Sequence, residues 1–129
     1  MSEPNRDPEA QIPLTPPVYH ILLALADDSR HGYAIMKEVE ERSGGRVMLS
    51  TGTLYAAIKR LLEGGLIEET DDRPSAEEDD QRRRYYLLTR FGRQVAQAET
   101  HRMADLIAVA QAKRLVSESL LGGGQGRGT

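Results

Sequence analysis

The 129-residue chain contains no cysteine, no tryptophan and a single phenylalanine. Without cysteine there is no disulfide, no thiol redox switch and no thiolate zinc site. No apolar run approaches the roughly 20 residues that a membrane helix needs. Met1 to Pro13 lacks the basic-then-apolar pattern of a secretory leader. The expectation is a cytoplasmic protein with no membrane segment. The glycine patterns of common catalytic sites are missing too: no G-x-S-x-G elbow, no P-loop and no dinucleotide fingerprint. His20, His31 and His101 are far apart and show no metal-ligand spacing. Glu77-Glu78-Asp79-Asp80 lack the spaced ligands and turn glycine of a calcium loop. Neither an enzyme nor a metal nor a cofactor is expected.

What is present is enough apolar material for one small core plus an appendage, 39% hydrophobic against 29% charged. A net charge of −3 argues against a nucleic-acid partner only until its distribution is read. Residues 42–62 carry Arg42, Arg46, Lys59 and Arg60 with no acid, and residues 81–98 carry Arg82, Arg83, Arg84, Arg90 and Arg93 with no acid. Between them, residues 63–80 hold nine acids against Arg73 alone. DNA responds to the face it meets, within a Debye length of about 8–10 Å, and not to the whole-molecule sum. Two basic blocks on separate elements can build one positive face, although ordinary solvated charges would give the same pattern.

Residues 1–13, with Pro4, Pro8 and Pro13, read as a flexible arm. Thr15-Pro16 opens a helix that carries Val18, Ile21, Leu22 and Leu25 at helical spacing to about Asp27. Asp28-Ser29-Arg30 follow as a turn. A second helix starts near Gly32 with Tyr33, Met36 and Val39 on one face, and Ser43-Gly44-Gly45 end it. Val47-Met48-Leu49 reads as a brief strand. Ser50 or Thr51 caps a third helix running to Glu63. Its Leu54, Tyr55, Ile58, Leu61 and Leu62 share a sector of about 120° that faces the core. Leu66–Thr70 and Arg82–Leu88 read as strands joined by a polar loop. Thr89 caps a last helix reaching Leu121, about 50 Å at 1.5 Å per residue. Gly122–Thr129 reads as a disordered glycine-rich tail. The fold class is mainly α with a small β-wing. A winged helix-turn-helix domain covers residues 14–92, and one long C-terminal dimerisation helix covers residues 93–121.

The outward sector of the third helix has the chemistry of a major-groove reader. Gly52 and Ala56 let the backbone approach bases, Thr53 offers a hydroxyl and a methyl, and Arg60 offers a fork for guanine or phosphate. Ser50 and Thr51 sit at the positive helix end, where phosphate binds well. The candidate DNA-binding set is Ser50, Thr51, Gly52, Thr53, Tyr55, Ala56, Lys59 and Arg60, with Arg82, Arg83 and Arg84 beside the wing. An ordinary amphipathic helix and a charge-protected edge strand would look much the same piece by piece. In the last helix, Leu106, Val109, Val116 and Leu120 form a seam on which Lys113 takes the missing position. Met103, Ile107 and Ala110 widen that stripe. A domain of about 75 residues cannot cover so long a helix, and a two-fold homodimer is the common solution.

In combination these segments resemble the PadR-type transcriptional regulators. The resemblance rests on Leu22-Leu23-Ala24-Leu25, His31-Gly32-Tyr33-Ala34-Ile35, Ser50-Thr51-Gly52-Thr53-Leu54-Tyr55, Ile58, Arg60-Leu61, Gly65-Leu66-Ile67 and Arg84-Tyr85-Tyr86-Leu87-Leu88-Thr89 with Gly92. It covers about residues 14–95. It implies a cytoplasmic repressor that binds double-stranded operator DNA as a homodimer, with the last helix packing on the partner. It also implies a small-molecule effector in some members. Room for one C-terminal helix makes the chain similar to the short subgroup. Two features depart from the pattern: the wing tip is acidic, and the scarcity of aromatics leaves little for a drug-stacking slot. The rival reading is a winged helix that binds protein without touching DNA. The two basic blocks argue against it.

Overall fold

The computed structural model describes residues 6–70 and 84–117, which fall into two compact units, residues 1–99 and 100–129. In the first unit, three helices, α1 (Pro16–Ala24), α2 (Gly32–Arg42) and α3 (Thr51–Glu63), precede a sheet of β1 (Arg30–His31), β2 (Ile67–Thr70) and β3 (Tyr85–Leu88). Helix α4 (Arg90–Ala112) follows. The sheet order is β1-β3-β2, antiparallel throughout, with Arg30 opposite Tyr86 and Glu69 opposite Tyr86 on the other edge. Three helices and a small antiparallel sheet, mainly helical overall, match the expected class.

The core lies where the helices meet the sheet. Ile21, Leu22 and Ala24 of α1, Ile35 and Val39 of α2, and Leu54, Ala57, Ile58 and Leu61 of α3 are buried against Leu66, Ile67, Tyr86 and Val95. Fully burying an aliphatic side chain of this size stabilises by about 1.5–3 kcal/mol, so this cluster is what holds three short helices together.

Several local expectations are corrected. Residues 8–11 of the arm form a 3₁₀ helix capped by Asp7, and Ile12 and Leu14 pack on the core. Apolar side chains placed after the prolines tie the segment down. Helix α1 ends at Ala24 rather than near Asp27, and the carbonyls at its end and just past it are taken up by arginines. Arg30 Nε donates to the Ala24 carbonyl at 2.7 Å and Arg93 donates to that of Ala26 at 2.8 Å. Cations suit a helix C-terminus. Arg30 belongs to β1 and not to a turn. On α2 the buried face is Gly32, Ile35 and Val39, while Tyr33 is exposed. Val47-Met48-Leu49 forms no strand. Its backbone is engaged locally instead: Ser43 Oγ accepts from the Val47 amide at 2.9 Å and donates to the Val47 carbonyl at 3.4 Å.

Thr89 opens α4 as expected, accepting from the Gly92 amide at 2.9 Å. The helix stops at Ala112, well before Leu121. Arg114 takes φ of 64°, and the Leu115 amide returns to the Ala110 carbonyl at 2.8 Å, which closes the final turn. Its 23 residues reach about 34 Å rather than 50 Å. In the second unit Leu106, Ile107 and Val109 are exposed on the helix, and Leu115 is exposed just past it.

Candidate nucleic-acid interface

Ser50 is the cap of α3: its Oγ accepts from the Thr53 amide at 3.1 Å and donates to Thr53 Oγ1 at 3.0 Å. That choice satisfies one amide of the first turn, and it holds the Thr53 hydroxyl against the cap. Thr51, Gly52, Thr53, Ala56, Lys59, Arg60 and Glu63 are exposed, while Leu54, Ala57, Ile58 and Leu61 are buried. One hundred degrees per residue puts Gly52, Ala56, Lys59, Arg60 and Glu63 in one outward sector. A Cβ at Gly52 would meet nothing within 4 Å, so this face is open.

Tyr55 departs from the expected core position. It is 46% exposed, at the border of the outward strip, with its hydroxyl end against Gly32. The missing Cβ of Gly32 is what lets the start of α2 and the phenol of α3 approach. Tyr33, the next residue, is 57% exposed and stacks on His31 at 6.4 Å. His31 in turn caps α2 through Nδ1 and meets Tyr85 edge-on at 5.2 Å. Tyr55 therefore borders the strip, while Tyr33 is exposed on α2. Helical periodicity places both on core-facing sectors, and only the approach of α2 to α3 at Gly32 shows otherwise.

The basic blocks are partly spent on structure. Arg93 is taken up at the end of α1. Arg42 pairs with Glu38 at 3.2 Å and reaches His20 Nδ1 at 2.9 Å. Burial, and then the Arg42 charge, hold the His20 imidazole below its usual range. Arg84 pairs with Glu69 across the sheet at 3.0 Å, a contact that the linear charge count hides. Tyr86 behind it has its phenol pushed up, by burial first and then by Glu69. Lys59, Arg60 and Arg46 are exposed cations on or near α3. Arg82, Arg83, the acidic cluster 77–80 and Leu120 lie outside the described residues.

Gly65, at φ of 78°, ends the α3 turn in the left-handed region. The Thr89 hydroxyl donates to its carbonyl at 2.6 Å, and the Thr89 amide donates to the Leu66 carbonyl at 3.1 Å. A Cβ on Gly92 would run into that Leu66 carbonyl and lie 2.8 Å from its carbon. The Thr89-x-x-Gly92 spacing thus joins the end of α3 to the start of α4. Among the described residues no group of His, Asp or Glu could hold a metal ion, and no helix is long and apolar enough to cross a membrane.

Comparison with known proteins agrees with this architecture. A curated relative, a 37.1 kDa protein of a transposon of Streptomyces fradiae, is 42% identical over 86 residues, 67% of this chain. The chain spans only 22% of that protein's length. A PadR family transcription regulator from Clostridium difficile superposes with a TM-score of 0.62 at 28% identity, over 74% of this chain and 95% of its own. Bacillus subtilis PadR, solved in complex with operator DNA, gives 0.52 at 25% identity, over 62% and 44%. The profile described as the transcriptional regulator PadR-like family matches residues 21–98, well over half of the sequence. The chain therefore belongs to the PadR-like family of transcriptional regulators.

Proposed function

We propose that the protein is a cytoplasmic DNA-binding repressor that holds a near-palindromic operator as a homodimer. The observation that carries this reading is the strip on α3: Gly52, Ala56, Lys59 and Arg60 point outward together while the opposite side of the helix is buried. Small residues let the helix backbone approach base edges, and a guanidinium one turn on can take guanine or phosphate. Ser50 and Thr51 stand at the helix end that favours phosphate. Any wing contact comes from Arg82 and Arg83 with Arg84. The operator complex of the Bacillus subtilis relative supports the DNA reading.

The exposed Leu106, Ile107 and Val109, with half-buried Met103 and Ala110, form an apolar stripe suited to a second copy of the chain. Val116 lies past the end of α4, so its share in the seam comes from the turn and not from helical spacing. Pairing through α4 sets two reading helices about 34 Å apart, one DNA turn. An effector acts by favouring a dimer whose spacing no longer fits.

The test starts with selection of duplexes from a random library by the purified protein, followed by titration of the enriched duplex at two salt concentrations. Arg60→Ala is expected to cost about 1–3 kcal/mol and to relax base preference at one position. Unchanged affinity and preference would show that α3 presents a different face. Leu106→Asp combined with Ile107→Asp is expected to convert the dimer to monomer in light scattering and to abolish binding of the paired half-sites. An unchanged mass would remove this stripe from the interface.

A further inference from the structure

The N-terminal segment plays no part in the reading above, yet one of its side chains bridges two elements that do. Arg6 Nη1 donates to the carbonyl of Gly64, the residue that caps the C-terminal end of α3. The same guanidinium lies over the ring of Phe91, the second residue of α4, with its carbon 4.6 Å from the ring centre. A Cβ at Gly65 would fall 2.9 Å from Arg6 Nη2, so the glycine leaves the room in which the guanidinium lies. One planar cation thus touches the last turn of the reading helix and the first turn of α4.

The chemistry of each contact is suited to arginine. The C-terminal end of a helix carries partial negative charge on its free carbonyls, and a cation there is favourable. The face of an aromatic ring attracts a guanidinium that lies flat on it. The backbone behind Arg6 is anchored: the Asp7 side chain accepts from the Glu9 amide at 3.0 Å, the Ala10 amide bonds the Asp7 carbonyl at 2.9 Å, and Ile12 packs on the core. Anchoring lowers the entropy lost when the side chain docks.

We propose that Arg6 is a positioning residue for DNA recognition, a clip that holds the end of α3 to the start of α4 and so fixes the angle at which the reading helix is presented. This rests on the DNA-binding reading of α3. Arg6 touches no DNA in this role. Loss of the clip frays the last turn of α3 and loosens the angle at which Lys59 and Arg60 are presented.

The experiment has two arms on the full chain. In the first, hydrogen exchange is followed at the Gly64 and Gly65 amides, which bond the Arg60 and Leu62 carbonyls. Arg6→Ala is expected to speed exchange there about fivefold, the effect of one exposed cation contact. In the second arm, the duplex selected with the wild-type protein is titrated over a range of salt. Arg6→Ala is expected to weaken binding about fivefold with an unchanged salt slope, because no phosphate contact is lost. Arg6→Lys is expected to recover less than half of that loss, since an ammonium cannot lie on the ring and fork to the carbonyl. Phe91→Leu is expected to weaken binding similarly, and the double variant no further.

Unchanged exchange shows that the clip does not hold the helix end, and overturns the proposal. A salt slope lowered by about one unit marks Arg6 as a direct phosphate contact and overturns it as well. Full rescue by lysine, or additive losses at residues 6 and 91, removes the bridge. If the wild-type protein enriches no duplex, the DNA reading itself falls and takes the positioning role with it. The exchange arm then still reports whether the contact exists.

Discussion

Gly92→Ala places two physical effects in direct opposition. By helix propensity alone the change stabilises, since alanine is favoured over glycine in a helix by about 1 kcal/mol. The packing says otherwise. The new Cβ would sit on the Leu66 carbonyl oxygen, 2.8 Å from its carbon and 3.2 Å from the Leu66 Cα, and all of these are backbone atoms. To make room, the first turn of α4 must draw away from β2. Two bonds hold it there, Thr89 amide to Leu66 at 3.1 Å and Thr89 hydroxyl to Gly65 at 2.6 Å, and the Gly92 amide ties the same hydroxyl into the α4 cap at 2.9 Å. Losing these two costs about 1 kcal/mol each, and overpacking against backbone adds about 2 kcal/mol. Less the propensity gain, the net is a loss of about 3 kcal/mol. For a domain of this size that lowers the melting temperature by about 12–20 °C. Urea unfolding followed by circular dichroism measures it, at matched protein concentration because association shifts the midpoint. Gly52→Ala is the control: its Cβ meets nothing within 4 Å, so it is expected to be neutral or to stabilise by up to about 1 kcal/mol. If Gly92→Ala is as stable as wild type, the close approach of α4 to Leu66 is not what fixes this glycine.

Two further outcomes follow from the same geometry. Ser50→Ala removes the acceptor of the Thr53 amide and is expected to cost about 1 kcal/mol in urea unfolding; an unchanged midpoint would mean that Thr51 or water takes over the cap. His20 accepts from Arg42 only as neutral imidazole, and burial, then the Arg42 charge, hold its folded pKa below the usual value of about 6.5. Between those two values the unfolded chain binds more protons than the folded one, so stability is complete above about pH 6.5 and declines as pH falls through the lower folded value. The decline between pH 7.5 and 5 is expected to be shallower in His20→Gln, as read by thermal midpoints; equal slopes would assign it to other groups.

Much of the fold could be read from the order of residues, because it is local. The limits of α3 follow from Ser50 before the apolar rhythm and from the glycines behind it, and the structure keeps them at Thr51–Glu63. The strands around Ile67 and Tyr85–Leu88 were legible for the same reason, from strand propensity and the turn residues that bound them. Val47-Met48-Leu49 had similar apolar character and failed to pair. A strand needs its backbone groups free for a neighbour, and only the folded chain shows that Ser43 Oγ takes both the amide and the carbonyl of Val47.

The same division holds for the candidate interface. The outward character of Gly52, Ala56, Lys59 and Arg60 is a property of helical periodicity, so the sequence by itself determined it. Which charges remain available was decided by tertiary contacts. Arg84 meets Glu69 through strand register, Arg42 meets His20 and Glu38, and Arg93 closes the end of α1. Tyr55 was drawn from the expected core to the surface by its place beside Gly32. Arg6 sits 58 residues from Gly64, and no pattern in the sequence pairs them. Periodicity is a short-range property of one helix or strand, whereas the partner of a charge or a phenol depends on how distant elements pack. The sequence therefore determined the elements and their faces, and the tertiary structure decided which side chains on those faces are free to act.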